Sequence, residues 1–467
     1  MKLSIIKRVL ISLFSILIAI TLIACSGSSN PIHSDTTNSD PTDTASPPEC
    51  EHLWKEANCS NPKICFKCNK TEGEKNVEAH AYVEKGEQLL CIYCGVPAPI
   101  REVDCEHVAG ADTCPLCGET ELNVIKNVIY IIGDGMGLEH IAAGEIAFGK
   151  DYCFDDWQFA TVNTDSLSAA GKGYSAVTDS AAAGTALATG VVTYNQYVGR
   201  DANKNDLTTI LDHAKSLGKR TGIISTDALF GATPGAFSAH CDSRGDYPGI
   251  LQSQIQSGID LLCGNKDSNI YLNDTVITQN GYVHCKTSGQ MRKNSDADKL
   301  YCTLNIFGYK TSYGHVTPSQ VTPIALDYLD NETGFVLMIE QSHIDAYAHT
   351  NSIDDVLKSV DELNNTVEAI FEWMGDRTDT AIIITADHET GDLSVSKTNT
   401  LPNSTSINNG PTLYYLFNST GHTNSTVGLF IYGADVDIEQ HSYYNNPYNV
   451  KNTDIYTIVY RLLHNLR

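Results

Sequence analysis

Asn127-Val128-Ile129-Tyr130-Ile131-Ile132-Gly133-Asp134-Gly135-Met136-Gly137 is an uncharged, mostly apolar run that ends on a carboxylate inside a glycine-rich turn. A run of that length and composition reads as a strand buried on both faces. Four more have the same character: Thr221–Ser225, Phe335–Ile339, Ala381–Thr385 and Val427–Tyr432. Polar side chains gather at or near their ends. Asp134 follows the first run, Thr233 lies in the loop after the second, and Glu340 closes the third. Asp387 and His388 close the fourth, Asp345 and His349 follow Glu340 within one turn-rich segment, and His422 stands just before the fifth. Open α/β sheets place ligands outside the carboxyl ends of their strands. Carboxylates and imidazoles gathered there can bind hard and borderline metals. Each residue alone reads more readily as a cap or a satisfied core polar group; their shared placement reverses that and points to a site.

Between the strands, Ser352 to Met374 shows the helical half of the pattern. Ile353, Val356, Leu357, Val360, Leu363, Val367, Ile370 and Phe371 form one apolar stripe, which is a core face. Strands alternating with such helices predict an α/β domain over residues 122–467, a doubly wound, mostly parallel sheet with helices on both faces. That length is ample for one continuous core, and 42% hydrophobic content is ordinary for a globular chain.

The stretch Val177-Thr178-Asp179-Ser180-Ala181-Ala182-Ala183-Gly184-Thr185-Ala186 sets one serine between a carboxylate and a run of very small residues. It reads as a helix start, with Gly190 as its stop, so Ser180 would sit where exposed N–H groups favour anions. A serine hydroxyl is a weak nucleophile until a base or a metal activates it. On its own the stretch reads equally well as a small-residue helix packed in a core.

Six segments together resemble the alkaline phosphatase family. They are Gly133-Asp134-Gly135-Met136-Gly137, Thr178-Asp179-Ser180-Ala181-Ala182, Ala232-Thr233-Pro234 with Arg244, Glu340-Gln341-Ser342-His343-Ile344-Asp345, Thr385-Ala386-Asp387-His388-Glu389-Thr390-Gly391, and Gly421-His422-Thr423. They occur in the family's order. The resemblance implies hydrolysis of phosphate monoesters through a phosphoserine on Ser180, with two Zn2+ and one Mg2+. Asp345, His349 and His422 resemble the ligands of the first zinc. Asp387, His388 and Asp134 resemble those of the second, which Ser180 completes during reaction. Asp134, Thr233 and Glu340 resemble the magnesium site. Arg244 matches the family's phosphate-binding arginine, whose planar fork can hold two phosphate oxygens, and Asp179 is placed to orient it.

Two positions depart from the family's pattern. Gly231 stands where an acidic residue or histidine is common, two places before the threonine ligand. Ala346 stands where lysine, histidine or another polar residue often follows the first-zinc aspartate. The ligands themselves are intact, so the departures bear on magnesium affinity, product release and pH optimum. Two other readings compete. A diesterase or sulfatase of the same superfamily is opposed by Arg244, whose fork suits the unesterified oxygens of a monoester, and by the lack of a Cys/Ser-x-Pro-x-Arg context around Ser180. A non-catalytic surface or metal-storage protein would not need to keep the nucleophile and every ligand.

At the N-terminus, Lys2, Lys7 and Arg8 precede an apolar stretch from Val9 to Ile23 that ends in Leu22-Ile23-Ala24-Cys25. This is the pattern of a signal peptide, residues 1–25. Its end resembles a bacterial lipobox, implying lipidation of Cys25, a membrane anchor and an extracytoplasmic enzyme; an uncleaved anchor is the alternative. Residues 26–49, rich in Ser, Thr, Asn, Asp and Pro, read as a flexible tether.

Nine of the 15 cysteines fall between Cys50 and Cys117. Residues 50–118 therefore read as a small zinc-ribbon-like module with additional structural Zn2+. One partition uses Cys65, Cys68, Cys91 and Cys94 for one site and Cys105, His107, Cys114 and Cys117 for a second. Zinc is favoured over a disulfide framework because close C-x2-C pairs make awkward disulfides and histidines recur beside them. The segment from about Cys263 to Cys302 reads as a polar, weakly periodic insert. With Cys153 and Cys241 it brings the domain's cysteines to five, so at least one is unpaired within the chain. The formal charge of −25 argues against nucleic acid as a partner. It would also repel the small phosphomonoester substrates that the resemblance implies, so local positive charge from Arg244 and the metals must dominate in the pocket. The family resemblance also suggests a homodimer.

Overall fold

The computed structural model describes residues 124–464 except 168–173, 267–271, 310–313, 408–410, 435 and 437–448; before residue 124 it describes Glu74 and five short strands. The chain divides into two compact units, Met1–Leu122 and Asn123–Arg467. In the first unit, Trp54–Lys55, Lys63–Cys65 and Thr71–Glu72 form a small antiparallel sheet, and Tyr82–Lys85 pairs with Gln88–Cys91 as a hairpin. Cys65 and Cys91 each end a strand. Cys25, Cys68, Cys94, Cys105, His107, Cys114 and Cys117, and the expectations attached to them, lie outside the described residues.

The second unit is built on one ten-stranded sheet. Its strands in chain order are β1 (Asn127–Gly133), β2 (Gln158–Asn163), β3 (Arg220–Ser225), β4 (Leu261–Asn265), β5 (Val283–Cys285), β6 (Leu300–Leu304), β7 (Phe335–Gln341), β8 (Thr380–Thr385), β9 (Val427–Tyr432) and β10 (Asn449–Lys451). Across the sheet they run β5-β6-β4-β3-β7-β1-β8-β9-β2-β10. All pairings are parallel except those of β9 with β8 and β2, so β9 alone runs against the rest. The central strands β1, β7 and β8 are buried along their whole length, which is why they carry near-continuous Val, Ile, Leu and Phe. The helix Ile353–Met374 packs the expected stripe inward; Phe371 alone of that stripe is half-buried.

The segment expected as a polar insert instead completes the sheet. It contributes β4, β5 and β6, with helices Asp274–Gln279 and Ser288–Lys293 between them. Its strands are short and lie toward one edge, so no long apolar run announces them. Cys263, Cys302 and Cys285 face one another in register across β4, β6 and β5, all buried, and all five cysteines of this unit are free. Among the described residues no helix is long and apolar enough to cross a membrane.

Candidate metal and phosphate site

The strand register sets the site. Ser225 of β3 pairs with Glu340 of β7, Glu340 with Ile132 of β1, and Ile132 with Thr385 of β8. The next residues along β1 and β8 bring Asp134 and Asp387 to the same carboxyl edge. His422 reaches that edge for the opposite reason. It precedes β9, and because β9 is antiparallel its amino end meets the carboxyl ends of its neighbours. Gly135, at φ +73°, turns the chain after Asp134; a Cβ there would lie 2.8 Å from Asp345 Cα. Its N–H donates to Asp387 Oδ1 at 3.1 Å.

Ser180 is the first residue of the helix Ser180–Thr189 and is buried. Asp179 caps that helix, its Oδ1 accepting from Ala182 N at 2.9 Å, and Gly190 at φ +71° ends it. The small residues are needed for packing as well as for helix propensity. A Cβ on Gly184 would stand 3.1 Å from Ala236 Cβ, so the glycine lets this helix close on the short helix Ala232–Ala236, which carries Thr233. Thr233 thus sits in a helical turn and not in the open loop the sequence suggests.

Among the described residues two groups of potential ligands emerge, with the donor atoms within 4.8 Å of one another in each: Asp345, His349 and His422; and Asp134, Asp345 and His388. The first is the set expected from the sequence. The second contains Asp345 where Asp387 was expected, so Asp345 reaches into both groups. Asp387 remains adjacent, its Oδ2 3.2 Å from His388 Nε2. Ser180 Oγ lies 3.2 Å from the same nitrogen. Arg244 Nη1 stands 3.5 Å from Asp179 Oδ2, and its positive charge is felt by Asp134, His388 and His349.

The electrostatics describe a site crowded with negative charge. Burial first, then the charges of Asp387, Asp345 and Glu340, push the Asp134 carboxyl well above its ordinary range. Burial and the charge of Asp227 raise Glu340 to about 8, against hydrogen bonds from Ser225 and Thr233. Asp387 is raised to about 6, again by burial first and then by Asp345. Burial pushes His388 down to about 4 and also lowers His422, leaving imidazole lone pairs available. Asp345 goes the other way: burial opposes it, but hydrogen bonds from His349 and Thr390 and the His388 charge hold it below the usual range. Its partner His349 rises to about 9, chiefly through the hydrogen bond to Asp345.

Asp134 Oδ1 and Asp387 Oδ2 are buried without hydrogen bonds, facing His388 Nε2 at 3.6 and 3.2 Å. Orphaned, crowded carboxylate oxygens beside neutral imidazoles fit bound cations, since a buried anion is stable only when paired. The mixed nitrogen and oxygen donors of the histidine groups suit zinc, and the oxygen set of Asp134, Thr233 and Glu340 suits magnesium.

Supporting residues were less legible in the sequence. Thr390 Oγ1 donates to Asp345 Oδ1 at 2.5 Å and lies 3.3 Å from His388 Nδ1. His349 Nδ1 meets Thr420 O at 2.6 Å, and His422 Nδ1 meets Thr178 O at 2.8 Å. These contacts aim each Nε2 into the cluster. Thr390 lies inside a segment already singled out; backbone acceptors leave no sequence signal at all.

Comparison with known proteins agrees with this geometry. A family model described as alkaline phosphatase matches residues 125–269 and 287–456. Alkaline phosphatase 4 of Bacillus subtilis is 33% identical over 297 residues, covering 58% of this chain and 63% of its own length. The chain therefore spans less than two thirds of that relative. Alkaline phosphatase of Escherichia coli is 28% identical over 353 residues, covering 60% of this chain and 74% of its own. A cold-active alkaline phosphatase from a psychrophilic Shewanella superposes with a TM-score of 0.61 and 26% identity, over 72% of this chain and 99% of that one.

Proposed function

The chain belongs to the alkaline phosphatase family, and on that premise we propose that it hydrolyses phosphate monoesters through a seryl-phosphate on Ser180, with two zinc ions and one magnesium ion. One observation carries the reading: a buried serine at a helix N-terminus, 3.2 Å from His388, borders a cluster in which Asp134 Oδ1 and Asp387 Oδ2 are buried without hydrogen bonds. Asp345, His349 and His422 would hold one zinc, Asp134, Asp387 and His388 the other, and Asp134, Thr233 and Glu340 the magnesium. Bound cations would supply the positive charge that acidifies the Ser180 hydroxyl, steadies the departing alkoxide and activates water.

The chain's own residues do the rest. Arg244 grips two non-bridging oxygens of the monoester with its fork, and Asp179 holds that fork in place. Ser180 Oγ attacks phosphorus, and the ester P–O bond breaks to release the alcohol. Water then attacks the seryl-phosphate; the Ser180 Oγ–P bond breaks, releasing inorganic phosphate and restoring the hydroxyl. The N-terminal N–H groups of the helix favour the negative charge throughout.

The same reading includes a lipid anchor at Cys25, an extracytoplasmic location and a homodimer. The anchor and location rest on the charged start and apolar run from Val9 to Ile23, and the dimer rests on family membership. Mass spectrometry of the membrane-extracted protein checks the anchor by looking for a diacylglyceryl group on Cys25.

The deciding experiment measures hydrolysis of a chromogenic phosphate monoester beside its diester and sulfate analogues, before and after chelation and after restoring zinc and magnesium. Preferential monoester turnover, lost on chelation and regained with metal, is expected. Metal-loaded, folded protein that turns over none of these esters would overturn the proposal.

A further inference from the structure

Gly231, the departure that bears on magnesium, is explained by its neighbour. A Cβ on Gly231 would lie 2.3 Å from Asp227 Oδ2 and 2.9 Å from its Cγ. Real Cβ atoms do not approach other atoms that closely, so a larger residue at 231 would turn the Asp227 carboxylate out of this position. The side chain absent from residue 231 is replaced in space by one from residue 227.

The loop that carries Asp227 is fixed to the site. Asp227 lies two residues past the end of β3, and Ser225, the last residue of that strand, is the register partner of Glu340. Asp227 N donates to Ser225 Oγ at 2.8 Å, and the Ser225 hydroxyl donates onward to the Glu340 carboxylate. Ala228 N donates to Asp227 Oδ1 at 2.7 Å, and Asn265 N donates to Asp227 O at 2.7 Å. Asp227 is exposed at the rim while Glu340 is 1% exposed, yet after burial the Asp227 charge is the largest influence raising the Glu340 carboxyl. The Ser225 hydroxyl thus ties the Asp227 loop directly to the Glu340 carboxylate, and with Asp134 Oδ1 buried nearby without a hydrogen bond, this gathering of carboxylates marks a place for a cation.

We infer that Asp227 is a positioning residue for the magnesium ion, taking the role left vacant at Gly231 and holding water coordinated to the ion beside Asp134, Thr233 and Glu340. The inference rests on the three-ion reading above. It fits magnesium's habit of binding through few carboxylates while keeping several waters, which an exposed carboxylate can orient from outside. Sequence offers no motif for this residue, because its role follows from the space a missing side chain leaves.

The test is calorimetric titration of Mg2+ into the full-length protein with its zinc sites filled, with metal content read by mass spectrometry. Asp227→Asn keeps the shape and removes the charge. It is expected to weaken Mg2+ binding by about 10- to 100-fold, the usual effect of losing a partner of the coordination shell, with zinc content unchanged. Gly231→Ala keeps the charge but displaces the carboxylate, and is expected to weaken Mg2+ binding as well. Wild-type binding that Asp227→Asn leaves unchanged overturns this inference alone. A zinc-loaded wild type that takes up no Mg2+ overturns both the inference and the three-ion reading beneath it.

Discussion

Replacing Asp179 by alanine tests the claim that one carboxylate both builds the nucleophile's helix and aims the phosphate-binding arginine. Its Oδ1 accepts from Ala182 N at 2.9 Å; its Oδ2 accepts from Gln196 N at 2.9 Å and Gln196 Nε2 at 3.0 Å and faces Arg244 Nη1 at 3.5 Å. Loss of the cap costs about 1 kcal/mol. Each Gln196 bond to a charged acceptor is worth about 1.5 kcal/mol at the low end, although the Gln196 side chain can turn to water and recover part of its share. The Arg244 pair is long and a third exposed, so it adds about zero to stability. The expected loss is therefore about 3 kcal/mol. Asp179→Asn keeps the cap oxygen and is expected to lose only about 1 kcal/mol, from its amide facing donors. In both variants the guanidinium loses its charged partner, so kcat/KM for a monoester is expected to fall about tenfold, with a matching loss of affinity for inorganic phosphate. Urea unfolding of chelated protein, followed by tryptophan fluorescence, reads the stability, and metal-loaded enzyme gives the kinetics. An alanine variant within 1 kcal/mol of the parent, or an asparagine variant as unstable as alanine, would refute the division of roles.

Three further outcomes are expected. Ser180→Ala loses turnover while zinc and magnesium content stay near normal; measurable hydrolysis by that variant would sink the nucleophile assignment. Arg244→Lys keeps the charge and loses the planar fork, so KM for a monoester rises about tenfold while a diester is affected less, as paired Michaelis–Menten measurements would reveal. Glu340 and His349 both have folded pKa values raised, to about 8 and about 9. Their stabilising contribution is therefore full only below the unfolded values, about 4.3 for Glu and about 6.5 for His, and is lost as pH rises toward the raised ones. Chelated protein is expected to lose about 2 kcal/mol between pH 6.5 and 9 from Glu340 alone. Metal binding must expel the same protons, so affinity increases with pH, and calorimetry at pH 7 in buffers of different ionisation heat reads net proton release. A chelated protein more stable at pH 9 than at 6.5 contradicts this ordering.

The strands at the centre of the sheet were legible because burial on both faces demands uninterrupted apolar sequence, and Asn127–Ile132 and Phe335–Ile339 differ from β1 and β7 by one or two residues. The edge was not legible for the converse reason. β2 alternates buried and half-buried positions, and β4 to β6 are short strands separated by short helices, so neither the long run nor the strong period was there to read. Ligand identity was legible where a polar residue terminates an apolar strand. How those ligands group was not: that Asp345 reaches both groups depends on the turn at Gly135 and on Thr390, each remote from it in sequence.

His422 and Asp227 mark the boundary of what order along a chain can reveal. His422 precedes β9 whereas the other ligands lie at or beyond the carboxyl ends of their strands, and only the reversed direction of β9 brings it to the shared edge. Strand direction depends on the connections between strands, which no short motif encodes. Asp227 lies near the threonine ligand in sequence, yet its placement becomes visible only when a Cβ is imagined on Gly231. In both cases the functional assignment depends on which groups share space, and the residue that permits the arrangement is a different one from the residue that performs it. A glycine in a family position that usually bears a charge is then best read as room made for a neighbour's side chain, and Mg2+ affinity in Asp227→Asn is the quantity that decides whether that holds here.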